Sequence, residues 1–198
     1  VRVKLNRAVL TGSLFNGSNL SYGELNGALA SNAYFRDARA SNLQAVGGDF
    51  RRTFWDRAAM SAARLDDSDF EGADMNAANL TSASARRTRF AYAFFNDTVM
   101  NYAVCNEADL SETAFTDAQV GYASFQGAYL YSVDFDGVDG EYANFYGAIL
   151  VDSIIRESDF SVADFRMTNL KDSEFERSDF RFCDFRGANW DDVEAWFC

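Results

Sequence analysis

The stretch "FSVADFRMTNLKDSEFERSDF", residues 160–180, carries its large apolar side chains at Phe160, Phe165, Leu170, Phe175 and Phe180, one every five residues. An amphipathic helix repeats near 3.6 residues and a half-buried strand at every second residue. Neither backbone turns every fifth side chain into a core. A second row accompanies the first: Ala163, Thr168, Ser173 and Ser178 stand two residues ahead of the large ones.

The register extends over the chain. Of the 39 positions whose numbers are multiples of five, 33 hold Leu, Phe, Met, Ile, Val, Trp or Cys; the exceptions are Ala30, Ala40, Ala45, Ala85, Gly140 and Ala195. The row two residues earlier, Val3 to Val193, is Ala, Ser, Thr, Gly, Val or Cys at 38 of 39 positions, with Leu43 the exception. Two inward residues separated by one outward residue are strand-like, and the remaining two turn a corner. Four such sides close a square coil of twenty residues. Columns twenty apart support that number: Phe125, Phe145, Phe165 and Phe185; Leu110, Leu130, Leu150 and Leu170; Phe95, Phe115 and Phe135; Phe50, Phe70 and Phe90. Stacked coils would set these like residues about 4.8 Å apart. Offset ring stacking would then add about 0.5–1.5 kcal/mol per pair beyond area burial.

Units such as "ADLSE" (108–112), "ANLTS" (78–82) and "ADFRM" (163–167) resemble the A(D/N)LXX units of the pentapeptide repeat family, over essentially the whole chain. The resemblance implies an all-β fold, a right-handed quadrilateral parallel β-helix of nine to ten coils, each leaning mainly on its neighbours. The expected organisation is a single domain over 1–198 with a short cap or tail at 193–198. Two places depart from the pattern. In "ARASNLQAVGGDF" (38–50) three centres are Ala and the large residue is Leu43, so a local slip is expected, with Ser41, Asn42 and Leu43 as a shifted unit and Gly47 and Gly48 absorbing the correction. Gly140 leaves a hole that the Phe160 ring is expected to fill in part.

The composition, 48% hydrophobic and 16% aromatic, is that of a folded chain, with no proline and no histidine. Without histidine, catalytic triads and His-ligated zinc or haem are excluded. No run approaches the roughly 18 apolar residues of a membrane span. The chain begins without Met and inside the pattern, as a processed or partial chain would. Three cysteines are too few for a disulfide framework. Cys105 and Cys183 fall on inward rows as small hydrophobes; a bridge from Cys183 to Cys198 would need the tail to fold back.

Both inward rows are committed to packing, so function has to lie on outward positions. Residues 1–89 carry 12 basic and 9 acidic side chains, residues 90–155 ten acidic and no basic, and residues 156–198 six basic and 11 acidic. The basic-free window is either a solvated face or a surface for a basic partner. It also holds seven of the nine tyrosines. Tyr102, Tyr122 and Tyr142 should stack on one outer edge, continued by Val162 and Phe182, with Asp139, Asp159 and Asp179 in a column beside them. Such a ladder is either simple cross-strand pairing or an interface strip. Leu14, Tyr34 and Phe54, with Phe94 further on, form a second outward column, and Val9 and Leu29 a third. These suit a docked subunit, a cap or an end-to-end homodimer contact.

Other constellations are weaker. Asp66, Asp67, Asp69 and Glu71 resemble a hard-cation site in composition but lack the glycine spacing of a calcium loop, so no metal and no cofactor is expected. Ser21, Ser41, Ser61 and Thr81 form a short hydroxyl ladder. Arg51, Arg52, Arg86, Arg87 and Arg89 cluster, yet the net charge of −12 disfavours direct nucleic-acid binding. The reading that follows is a non-catalytic module presenting acidic and aromatic ladders to a protein partner or a larger assembly, a photosynthetic one among the settings. The resemblance supplies the alternative: some family members resemble DNA, bind DNA gyrase in its place and protect it from quinolone-type inhibitors. The positive first half, the lack of projecting loops and the short "VEAWFC" end argue against that. The resemblance leaves the compartment open between bacterial cytoplasm and the thylakoid or plastid lumen. An enzyme is disfavoured, because no nucleophile stands beside a base.

Overall fold

The computed structural model describes residues 2–196 and forms a four-sided parallel β-helix. Every outward mid-side residue bridges in parallel to the residue twenty further on, as in Leu14↔Tyr34, Asn79↔Val99 and Asp159↔Asp179. On one side the bridges lengthen into four short strands, β1 (Asp134–Asp136), β2 (Ile154–Arg156), β3 (Glu174–Glu176) and β4 (Glu194–Trp196), paired in that order with Phe135 against Ile155 and Ile155 against Phe175. No helix among the described residues is long and apolar enough to cross a membrane.

Backbone bookkeeping explains the five-residue unit. The large inward residue donates its N–H to the next coil (Leu5 to Glu24 O, 2.7 Å), and the outward residue donates to the previous one (Glu24 to Val3 O, 2.9 Å). The corner is a β-turn closed by a bond such as Ala8 N to Leu5 O, 3.1 Å. One amide per unit, on the residue after the large one, is left over. Where an Asp or Asn is in place it accepts this amide, either from two residues back, as Asp109 does for Ser111 (3.2 Å), or from the coil below, as Asn6 does for Asn26 (2.9 Å). This is the physical reason for Asp or Asn at the outward position of the repeat: an Asx-turn acceptor for an otherwise orphaned donor.

Every corner also holds one residue in the left-handed region, at each fifth position from Arg7 to Asp192. Nine of these are glycine and 29 are not, so the coil above and below imposes the conformation on most side chains.

The tube interior is filled by ring columns. Phe125, Phe145, Phe165 and Phe185 stack at 5.0, 4.9 and 5.0 Å with planes within 14° of parallel. Phe95 stacks on Phe115 at 4.9 Å and Phe50 on Phe70 at 4.9 Å. Trp55 lies 4.0 Å over Phe35 and donates its indole N–H to Thr53 at 3.0 Å. The Phe160 ring does occupy the space at Gly140, where a Cβ would come within 2.3 Å of it.

The slip expected at residues 38–50 does not occur. The bridges Glu24↔Gln44, Gln44↔Arg64, Arg39↔Ala59 and Leu29↔Asp49 hold the common register through it. Leu43 is fully buried in the small row. It fits there because its vertical neighbours are Gly23 and Ala63, and the adjoining centres Ala40 and Ala45 give up the volume it takes. Gly48 likewise makes room for the Phe50 ring, and Gly47 is an ordinary corner glycine with φ +64°. The bridge considered between Cys183 and Cys198 lies outside the described residues, as Cys198 does.

Candidate functional site

The tyrosine ladder forms as its spacing requires. Tyr102 and Tyr122 stack at 5.0 Å with planes 12° apart, and Tyr122 and Tyr142 at 4.7 Å and 8°. All three are half exposed, at 57, 50 and 45%. Loss of solvent between its neighbours, and then the Tyr142 and Tyr102 hydroxyls, push the Tyr122 phenol up from its ordinary value. Val162 and Phe182 continue the same corner, and Phe182 stands 86% exposed at its end. Each of these five residues occupies the left-handed corner position, with φ between 58 and 63°. That conformation costs an L-residue about 1–2 kcal/mol, and glycine, Asn or Asp tolerate it best. Bulky side chains here are therefore kept against a local preference.

Asp139, Asp159 and Asp179 pair vertically on the adjoining side. They are not a bare acidic run. Arg181 holds Asp179 at 2.6 Å, which lowers its pKa, and Asp159 accepts the Ser161 amide at 2.8 Å. Among the described residues neither Asp139 nor Asp159 enters an ion pair, so two of the three carboxylates in the column are uncompensated.

The Leu14, Tyr34 and Phe54 column differs from its sequence reading. Tyr34 and Phe54 do stack, at 4.7 Å. But Arg36, held by Asp56 at 2.7 Å, lies 4.9 Å over the Phe54 ring and 5.8 Å over Tyr34. The two rings are half-buried beneath a fixed guanidinium, and of the three residues Leu14, 75% exposed, is the one left open; Phe94, further along the column, is 50% exposed. Asp74 separates Phe54 from Phe94. The column is in large part an internally satisfied cation–π stack.

The carboxylates of 66–71 are also committed. Asp66 accepts Ser84 Oγ at 2.6 Å and the Arg86 amide at 3.0 Å. Arg87 grips Asp67 through two bonds of 2.7 and 3.0 Å, and Arg89 binds Glu71 at 2.8 Å. Much of the arginine cluster is thereby neutralised. The basic-free window proves to be a belt: its carboxylates occupy all four corners and three of the four sides over about 16 Å of the axis.

One face was not singled out by sequence reasoning. Tyr129, Tyr131 and Tyr146 are exposed around Ile149 and Val151, with Met167 one coil on. Tyr129 and Ile149 stand where Asp or Asn elsewhere accepts the corner amide. The available signal was the pair of columns Tyr129–Ile149 and Tyr131–Val151, apolar at outward positions of consecutive coils.

A family model described as pentapeptide repeats (8 copies) matches the chain at five stretches, residues 41–81, 56–90, 78–117, 121–156 and 153–189. Among solved structures, HetL, a pentapeptide repeat protein involved in heterocyst differentiation regulation in the cyanobacterium Nostoc, aligns with a TM-score of 0.61 at 20% identity, covering 98% of this chain and 87% of HetL. QnrB1, a plasmid-mediated fluoroquinolone resistance protein, aligns with a TM-score of 0.43 at 20% identity, covering 93% and 85%. A pentapeptide repeat protein of the Arabidopsis thaliana thylakoid lumen gives 0.24 at 18% identity, covering 68% and 66%. No curated protein matches by sequence. At these identities the structural likeness speaks for the fold alone.

Proposed function

The chain belongs to the pentapeptide repeat family, and from that premise we propose that it is a non-catalytic interaction module whose Tyr102/Tyr122/Tyr142 edge docks on a protein partner. The observation that carries this reading is the placement of five consecutive bulky apolar or aromatic side chains at left-handed corners, where shorter polar residues or glycine would cost less. The tyrosines expose flat, stiff rings that lose little entropy on binding, as interface aromatics do. Asp139 and Glu141 beside them favour a partner with a basic rim. The absence of histidine and the ring-filled interior both support a role without catalysis.

The test compares wild type with the Tyr102→Ser/Tyr122→Ser/Tyr142→Ser variant as immobilised bait in extract of the native source. Proteins retained by wild type should be lost from the variant while the thermal midpoint hardly moves. Equal retention of the same proteins by both would remove the ladder from the interface. The DNA-mimic reading draws its support from the belt at 90–155. Against it, the belt is short and is flanked by coils rich in Arg–Asp pairs. A gyrase supercoiling assay with micromolar protein should show neither inhibition nor protection; either effect would favour that reading over ours.

A further inference from the structure

On the side that spans 107–111, which does not adjoin the corner of the tyrosine ladder, three consecutive coils form a groove of about 370 Å³. Its form follows from side-chain length. Arg87 and Arg89 make one wall and Tyr129 and Tyr131 the other, and the coil between them carries the shorter Glu107, Asp109 and Ser111. The two arginines lean away from the groove toward the preceding coil, where Arg87 binds Asp67 at 2.7 Å and Arg89 binds Glu71 at 2.8 Å and approaches Asp69 at 3.6 Å. Glu107 and Asp109 on the floor enter no ion pair among the described residues. Asp109 uses one oxygen to accept the Ser111 amide at 3.2 Å.

Asp67, Asp69 and Glu71 on the preceding coil are thus matched by Arg87, Arg89 and Arg51, which reaches Asp69 at 3.8 Å, and the unpaired Glu107 and Asp109 lie in the groove beside two phenol rings. Carboxylates below and aromatic faces beside are the chemistry that receives an ammonium or guanidinium group. An anionic ligand would meet arginines already saturated by acid. A purely apolar one would bury two unpaired charges at a cost of several kcal/mol.

We propose that this groove is a second binding site, which takes an arginine or lysine side chain of a partner protein, its aliphatic stem against Tyr129 and Tyr131 and its charge between Glu107 and Asp109. The proposal does not depend on the ladder, which lies on another edge. With the ladder on one corner and the groove on a side that does not adjoin it, one molecule would be able to hold two partners at once.

The experiment titrates the full chain with acetyl-Gly-Arg-Gly-amide, its Lys and Glu counterparts, and tetramethylammonium, following tyrosine resonances by NMR. The Arg and Lys peptides should give saturable shifts at Tyr129 and Tyr131 that weaken at high salt, and the Glu peptide none. Asp109→Asn retains the acceptor for the Ser111 amide and removes only charge. It and Glu107→Gln should each lower peptide affinity about two- to fivefold. The Tyr102/Tyr122/Tyr142 serine variant should bind as wild type. Equal response to the Glu peptide, or unchanged affinity in both carboxylate variants, overturns the proposal. So does binding of tetramethylammonium as tight as that of the Arg peptide, which would make the groove a site for small amines instead.

Discussion

If left-handed corners carry a real cost for side chains, exchanging glycine and alanine at two such corners should move stability in opposite directions by similar amounts. Gly147 has φ +66°, and a Cβ added there meets nothing within 4 Å, so Gly147→Ala changes backbone preference and little else. Ala77 has φ 55° and is exposed, so Ala77→Gly is the same change reversed. The left-handed conformation costs an L-residue about 1–2 kcal/mol. Against this, alanine loses less chain entropy on folding than glycine, by about 0.4–1 kcal/mol. The difference leaves Gly147→Ala destabilised, and Ala77→Gly stabilised, by about 0.5–1 kcal/mol. In a chain of this size that is a shift of roughly 1–4 °C in thermal midpoint, within reach of calorimetry or circular dichroism on the two variants and wild type. Should Ala77→Gly melt lower than wild type, the stacked coils would favour side chains at these corners. The tyrosine ladder would then need no functional explanation, and the strongest support for the proposed role would fall with it.

Two further outcomes follow from the core and the surface charges. Phe145→Ala removes a ring stacked on Phe125 and Phe165 and edge-packed on Phe135 and Phe160, and should cost about 3–5 kcal/mol. Phe15→Ala, where the ring is only partly buried and stacks on Phe35 alone, should cost less than half as much; equal losses in denaturant titrations would refute the column picture. Arginine hydrogen bonds hold Asp37, Asp49, Asp67, Asp164 and Asp179 below the ordinary value of 3.8, and Asp184 down to about 2. Groups depressed in the folded state stabilise it above the unfolded value and lose that contribution as pH falls through the folded one. Asp134, raised mainly by burial, has the opposite sign but stands alone against these six and Glu24, which the Asn6 hydrogen bond also lowers. The melting temperature should therefore decline from about pH 4 toward pH 2; a flat profile there would show these pairs to be inert.

The fold was legible because its determinants are the inward rows, which repeat at one spacing and admit one backbone. Leu43 shows the limit of reading that spacing one column at a time. A large residue in the small row looked like a slip, whereas the tube compares volumes around a whole coil and along its axis, and Gly23, Ala40 and Ala45 had already made the space. The covered state of Phe54 was out of reach for a different reason. Which way Arg36 leans depends on Asp56 twenty residues on, and spacing places the pair side by side without saying that the guanidinium will lie across the rings. The Tyr129/Tyr131 groove was missed because like residues were sought up a column, and the groove comes from unlike lengths on successive coils: Arg, Asp and Tyr at 89, 109 and 129.

These failures share a physical origin. The backbone ladder, the Asx acceptors and the ring columns carry the stability, and none of them requires a particular long side chain on the outside. Exposed pairs contribute about 0–1 kcal/mol each, so an outward column can be rewritten coil by coil while the tube stands. A regular core therefore speaks for the fold and leaves the partner unspecified. The informative positions are those where the outward residue works against its site: an aromatic at a left-handed corner, or an apolar residue in place of the Asp or Asn that a corner amide would otherwise use. By that criterion Tyr22, Tyr92 and Phe182 at corners and Val9, Leu14, Leu29 and Phe94 on the sides also stand out, and Tyr102, Tyr122, Tyr142, Tyr129 and Ile149 are the group that lies together within the belt that carries no basic residue.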